Sequence, residues 1–229
     1  SINMNSRRFI SLPFALMLFL TFFFILIFLP LIIGGVFRRL GFSPWITFAL
    51  FLFSLLGSMI NIPIYKMKIK RKVTVTAPRF FMGFIYPESR KEQRITETTL
   101  ALNVGGALIP IFISLYLMYN YPYLLWQFLI GIGTVSLLSY LIARPVPGVG
   151  ITMPLFIPPI LAAITAFLLP GRPNTALAYV SGVLGVLIGA DILNLAKTAK
   201  FGSDMMSIGG AGTFDGIFLT GIVAVLLAA

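Results

Sequence analysis

Apolar residues follow one another almost without interruption over residues 9–36, and comparable stretches recur at 44–65, 97–118, 122–143, 151–169, 174–196 and 206–229. Each is close to the length of about 20 residues that a helix needs to cross roughly 30 Å of hydrocarbon. The pattern predicts an all-α, polytopic transmembrane helix bundle of about seven spans, forming one integral membrane domain over residues 1–229. The stretch at 151–169 contains Pro154, Pro158 and Pro159. Proline removes helix hydrogen bonds that lipid does not replace, so this span is expected to kink or to be partly re-entrant while still crossing. The first stretch follows Arg7 and Arg8 and exceeds the about 7–15 apolar residues of a signal-peptide core, so it reads as a retained helix, with residues 1–3 ahead of the native start.

The polar intervals orient the bundle. With seven spans, fourteen of the 17 Lys and Arg fall on one side, and only Arg38, Arg39 and Arg172 on the other. The positive-inside rule then predicts a cell-membrane protein with its N-terminus in the cytoplasm and its C-terminus outside. The one large extramembrane interval, 66–96, opens with Lys66, Lys68, Lys70, Arg71 and Lys72. Such a cluster beside a span is attracted to anionic lipid headgroups, the partner expected for it along with the bilayer. Within it, Val73-Thr74-Val75-Thr76 alternates apolar and polar residues ahead of Pro78, which predicts a short β-strand or hairpin at the cytoplasmic surface.

Composition narrows the chemistry. The chain is 59% hydrophobic with mean hydropathy +1.01, more apolar than the roughly 45–50% of soluble domains. Cysteine and histidine are both absent, which removes the usual ligands of zinc and haem and the Cys/His nucleophile systems. No metal or cofactor is expected. The net charge of +11 lies mostly in the intervals between spans, so no nucleic-acid partner is expected from it.

Any acid–base chemistry falls to carboxylates, Lys or Tyr. Of the six acidic residues, Glu88, Glu92, Glu97 and Asp204 sit in or beside polar intervals, whereas Asp191 and Asp215 are embedded in apolar sequence. A carboxylate there costs several kcal/mol and marks a functional candidate. Asp191 lies six residues before Lys197, and Asp215 nine after Met206. If both stretches are continuous helices rising about 1.5 Å per residue, the two acids stand at similar depth, roughly 9–14 Å inside the cytoplasmic end of adjacent helices. Two carboxylates that meet at low dielectric share one proton, pairing a general base with a general acid.

Gly189 precedes Asp191, and Gly212 and Gly216 flank Asp215. Plain small-residue helix packing accounts for glycines of this kind in any membrane bundle, and close approach of a substrate is the other explanation. Asn194 and Thr198 share the Asp191 helix face and either orient the carboxylate or bond a neighbour. The segment Asn103-Val-Gly-Gly-Ala echoes Ser207-Ile-Gly-Gly-Ala, which places Asn103 either in the same cavity lining or at a tight packing point.

The stretches Ala101-Leu-Asn-Val-Gly-Gly-Ala-Leu-Ile-Pro110, Ile188-Gly-Ala-Asp191 and Gly209-Gly-Ala-Gly-Thr-Phe-Asp-Gly-Ile-Phe-Leu219 resemble an uncharacterised family of archaeal and bacterial multi-pass membrane proteins, a domain of unknown function. The aspartates also look like those of the di-aspartyl intramembrane proteases, the group of presenilin, signal-peptide peptidase and prepilin peptidase. Gly189-Ala190-Asp191 keeps part of that group's Gly-x-Gly motif, and Phe214-Asp215 matches its aromatic-Asp element. The order along the chain is reversed relative to presenilin, and Met153-Pro154-Leu155 stands in poorly for its Pro-Ala-Leu motif.

The leading expectation is an intramembrane aspartyl-type protease with Asp191 and Asp215 catalytic and a transmembrane protein as substrate, an extended segment of which the strand at Val73–Thr76 can hold by strand addition. A proton- or ion-coupled transporter using the same aspartates as its binding site is the alternative. A third is a structural or lipid-binding subunit whose aspartates bridge helices.

Overall fold

The computed structural model of the chain describes residues 12–81, 84–146, 150–199, 205–210 and 216–229. It is mainly helical, with a small sheet, and divides into two compact units, Ser1–Phe51 and Leu52–Ala229.

In the first unit, α1 (Leu12–Arg39) is 28 residues long with Pro30 inside it, and it ends on Arg38 and Arg39, cations that suit the negative end of a helix. α1 closes at Gly41 (φ +91°), where the Phe42 amide donates to the Phe37 carbonyl at 3.0 Å and the two rings meet edge to face. Ser43 caps α2 (Pro44–Gly57), which opens in the first unit and ends in the second and whose first-turn proline costs no hydrogen bond.

In the second unit, β1 (Asn61–Phe81) and β2 (Phe84–Asn103) form a continuous antiparallel ribbon with one bulge between Pro63 and Tyr65. The expected short hairpin is therefore much longer. It takes in residues 61–65 and 97–103, which the apolar pattern assigns to the second and third spans. Ile62, Ile64 and Thr98 to Ala101 are as compatible with strand as with helix, and the pairing of Asn61 with Asn103 satisfies their backbone groups in place of a helix.

After β2 the chain makes one π-helical turn, Val104–Leu108, and continues as α3 (Ile109–Asn120). A 3₁₀ turn, Pro122–Leu124, opens α4 (Leu125–Ile142), and β3 (Arg144–Val146) pairs with β4 (Gly150–Thr152). The proline-rich stretch resolves without an interior kink. Pro154 lies in the irregular link after β4, and Pro158 and Pro159 fall in the first turn of α5 (Ile157–Leu168), where their missing N–H groups have no helical partner to lose.

α6 (Asn174–Val186) is buried on nearly every side among α3, α4, α5 and α8 (Gly216–Leu227). It widens into a π-helical segment, Leu187–Ile192, before the short α7 (Leu195–Ala199). β5 (Met205–Ile208) then joins β2 in parallel, so the sheet order is β1-β2-β5. The stretch from Met206 thus opens as strand and not as helix, and the depth estimate for Asp215, which assumed nine helical residues from Met206, no longer applies.

Among the described residues, two helical stretches, Pro122–Ile142 and Asn174–Ile192, are long and apolar enough to cross a membrane. They differ in surroundings, since 28% of the first and 72% of the second is buried. On α4 only the stripe Phe128, Gly131, Val135, Ser136 and Ser139 is covered, while Trp126, Leu129, Ile130, Leu137 and Leu141 are exposed. An exterior of that kind is apolar surface that water does not favour.

Candidate functional site: the Asp191 cavity

Asp191 stands near the end of the π-helical segment of α6. A π turn carries one residue more than an α turn and leaves carbonyls without their usual partners, which is why such turns recur at functional sites. Here the Leu193 amide reaches back to the Ile188 carbonyl at 2.9 Å, and the Gly189 carbonyl receives the Asn194 Nδ2 at 3.2 Å. Asn194 is fully buried, and its Oδ1 accepts from Lys197 Nζ at 3.1 Å. Lys197 also donates to the Tyr140 hydroxyl at 3.1 Å. Asn194 thus braces the turn that presents Asp191. Gly189 itself lies against the Ser136 backbone of α4, leaving no room for a side chain.

Asp191 is half-buried and opens onto a cavity of about 260 Å³, room for several waters. Three elements wall it: Val186, Ala190 and Asp191 from α6 and its π segment; Gly216, Ile217 and Thr220 from the first turns of α8; and residues 151–155 with Pro158 from the link into α5. Apart from Asp191, the polar side chains on this wall are Thr152 and Thr220, and Thr152 Oγ1 donates to the Arg144 carbonyl at 3.0 Å. Among the described residues the cavity combines one carboxylate, two hydroxyls and an apolar wall. That set can hold water beside a base, or coordinate a proton or small cation.

Gly216 enters this wall directly after Asp215 in the sequence. Asp215 and Gly212 themselves lie outside the described residues.

Asn103 is not among the cavity-lining residues. Buried at the end of β2, it accepts the Gly106 amide on Oδ1 at 2.8 Å, capping the Val104–Leu108 turn, and its Nδ2 donates to the Ser58 carbonyl at 2.7 Å and to Asn61 Oδ1 at 3.1 Å. The Ser207 hydroxyl donates to the same Asn61 oxygen, and Ser54 Oγ donates to the Gly105 carbonyl at 3.1 Å. A single polar knot therefore ties the end of α2, both strands of the ribbon and β5.

The two echoing segments meet there. β2 and β5 run in parallel, with Ala101 opposite Ser207 and Leu102 opposite Ile208, and each leads into its own Gly-Gly pair. At Gly209 (φ +72°) a Cβ would stand 2.6 Å from the Ala107 Cβ and 2.7 Å from its amide nitrogen, so both backbone sign and contact require glycine.

Of the basic cluster, Lys66 and Lys68 are exposed on β1, and Lys70, Arg71 and Lys72 follow at strand positions. Thr152 and Thr220 are site residues that the sequence does not single out. Thr220 offers a faint signal, four residues after Gly216 on the same helix face; Thr152, in β4, offers none, because its approach to α8 is set by the tertiary fold.

Neither curated proteins nor solved structures give a match to this chain. A family described as a protein of unknown function (DUF1614) matches residues 55–227, which takes in the ribbon, the polar knot apart from Ser54, and every wall of the Asp191 cavity. With that match extending over most of its length, the chain belongs to the DUF1614 family.

Proposed function

We propose that this is a multi-pass protein of the cell membrane, N-terminus in the cytoplasm and C-terminus outside, that hydrolyses peptide bonds within the bilayer using Asp191 and Asp215 as an aspartyl pair. The observation that carries the reading is that Asp191 and Gly216, the residue after Asp215, line one cavity. The apolar exposed face of α4 supports a lipid surround. The seven-span arrangement adds to the two long apolar stretches the helices α1, α2, α5 and α8 and the Val104–Asn120 stretch, and the positive-inside bias of the polar intervals supplies the orientation.

In this reading the two carboxylates share one proton. The ionised one takes a proton from water as the water oxygen attacks the scissile carbonyl carbon, while the protonated one donates to the carbonyl oxygen, giving a gem-diol; the first then passes the proton it gained to the amide nitrogen as the C–N bond breaks, and the second takes a proton back from the gem-diol as the new carboxyl forms. Neither metal nor histidine enters. The open edges of the sheet, on β1 and on β5, offer backbone groups to an extended substrate segment, with Val73–Thr76 on the first of them.

A second reading is favoured by one observation: the π-helical interruptions at Val104–Leu108 and Leu187–Ile192 resemble the broken helices at transporter binding sites. There the same cavity binds a proton or cation. Both readings are tested by reconstituting the protein in liposomes with a panel of single-span substrates, alongside Asp191→Asn and Asp215→Asn at matched folding. Cleavage by the wild type that each substitution abolishes is the expected result. No cleavage across the panel, with either variant altering proton or cation flux, makes the protein a carrier.

A further inference from the structure

The ribbon register sorts the basic cluster by face. Lys66 pairs with Thr99, Lys68 with Glu97, Lys70 with Ile95 and Lys72 with Gln93; the rungs between them pair Met67 with Thr98 and Arg71 with Arg94. Opposed residues share a face of an antiparallel ladder, and alternate rungs return to it. Lys66, Lys68, Ile95 and Glu97 are exposed, whereas Met67 is half-buried and Thr98 is fully buried. The Lys66 and Lys68 rungs therefore belong to the outward side of the ribbon, and the body of this unit lies behind Thr98. Lys70 and Lys72 occupy rungs of the same parity, so four lysine positions follow one another about 7 Å apart, with Glu97 the one carboxylate opposite them.

We infer that this row is a docking surface for anionic lipid headgroups, and that it lays the ribbon along the membrane surface. The inference is independent of what Asp191 does. Three observations select lipid as the occupant. The row is cationic and almost unopposed. Exposed Met59, Ile60, Ile62, Ile64 and Tyr65 lie between the end of α2 and the first lysine, and an apolar and aromatic stretch running into lysines is the profile of a membrane interface. Ile95, exposed on the lysine face itself, adds an apolar contact amid the charges. Lysines act as hydrated point charges without the fixed fork of arginine, which fits diffuse attraction to a headgroup layer better than recognition of one phosphate.

The chain has no cysteine, so Ile95→Cys gives a single thiol for an environment-sensitive fluorophore in the full-length protein. That protein is reconstituted in phosphatidylcholine vesicles with or without phosphatidylglycerol, each containing a headgroup-linked quencher. Quenching is expected in the phosphatidylglycerol vesicles, with loss in high salt. Each Lys→Gln change in the row should weaken the docking equilibrium on the order of five-fold, the fourfold Lys→Gln variant should abolish quenching, and the fourfold Lys→Arg variant should retain it. Equal quenching in both vesicle types overturns the inference. So does protection of the probe by an added soluble polyanion but not by phosphatidylglycerol, which assigns the row to an acidic macromolecule.

Discussion

Asp191 and Gly216 face the same cavity from different helices, the first at the end of a π-helical segment and the second at the opening of α8. Just before the π segment α6 lies close against α4, where a Cβ on Gly185 would stand 2.6 Å from the Val135 Cβ. Gly185→Ala is therefore expected to destabilise the protein by about 1–3 kcal/mol. Gly133→Ala, with open space around its Cβ position, should be neutral or stabilising by up to about 1 kcal/mol. Unfolding in detergent monitored by circular dichroism checks the contrast, and equal effects would show that the α4–α6 approach does not limit side-chain size.

Asn103 satisfies three polar partners at once, so removing its side chain leaves the buried Gly106 amide and the half-buried Ser58 carbonyl without that partner. Asn103→Ala should cost about 1–3 kcal/mol for each group left unsatisfied. Hydrogen exchange gives a local readout, with the Gly106 amide expected to exchange much faster in the variant while amides of α4 are unchanged.

Asn194 and Lys197 are bonded to each other, but only the first is buried. Asn194→Leu frees the Gly189 carbonyl and should lower stability by about 1–3 kcal/mol, with loss of whatever activity Asp191 supports. Lys197→Gln, at an exposed position, should change stability by about 0.5 kcal/mol or less. Thermal unfolding and activity measured side by side separate the two.

An aspartyl pair acts without metal, and the chain has neither histidine nor cysteine. Cleavage by the purified protein is expected to be unchanged after extensive chelation. Loss of cleavage with chelator and its return with a divalent cation would contradict the proposed chemistry.

How much of this the sequence reveals depends on whether the signal is local. Asp191 stands out because a carboxylate in apolar sequence is costly, and the structure puts it on a cavity wall. The ribbon is legible only at its middle, where Val73-Thr74-Val75-Thr76 alternates. Its base, from Ile62 to Tyr65 and Thr98 to Ala101, is apolar and β-branched enough to read as the ends of spans, and a partner forty residues away decides the matter. The parallel addition of β5 to β2 is equally non-local, so a helix from Met206 is the natural expectation from apolarity alone. The Asn103 and Ser207 echo is visible as repetition. Its meaning, two parallel strands entering adjacent glycine turns, depends on pairing that no periodicity encodes. The π segments leave no pattern in a 3.6-residue repeat.

The central claim, that Asp191 and Asp215 serve one cavity, is tested most directly by cross-linking, because the absence of cysteine makes every introduced thiol unique. The full-length chain carrying Asp191→Cys with Asp215→Cys is treated in membranes with a short bis-methanethiosulfonate, and the intramolecular bridge is read by intact mass. Gly133→Cys, on the exposed side of α4, with Asp215→Cys serves as the control. Rapid bridging of the first pair and none of the control is the predicted result. Free modification of both thiols at 191 and 215 without bridging would contradict the account.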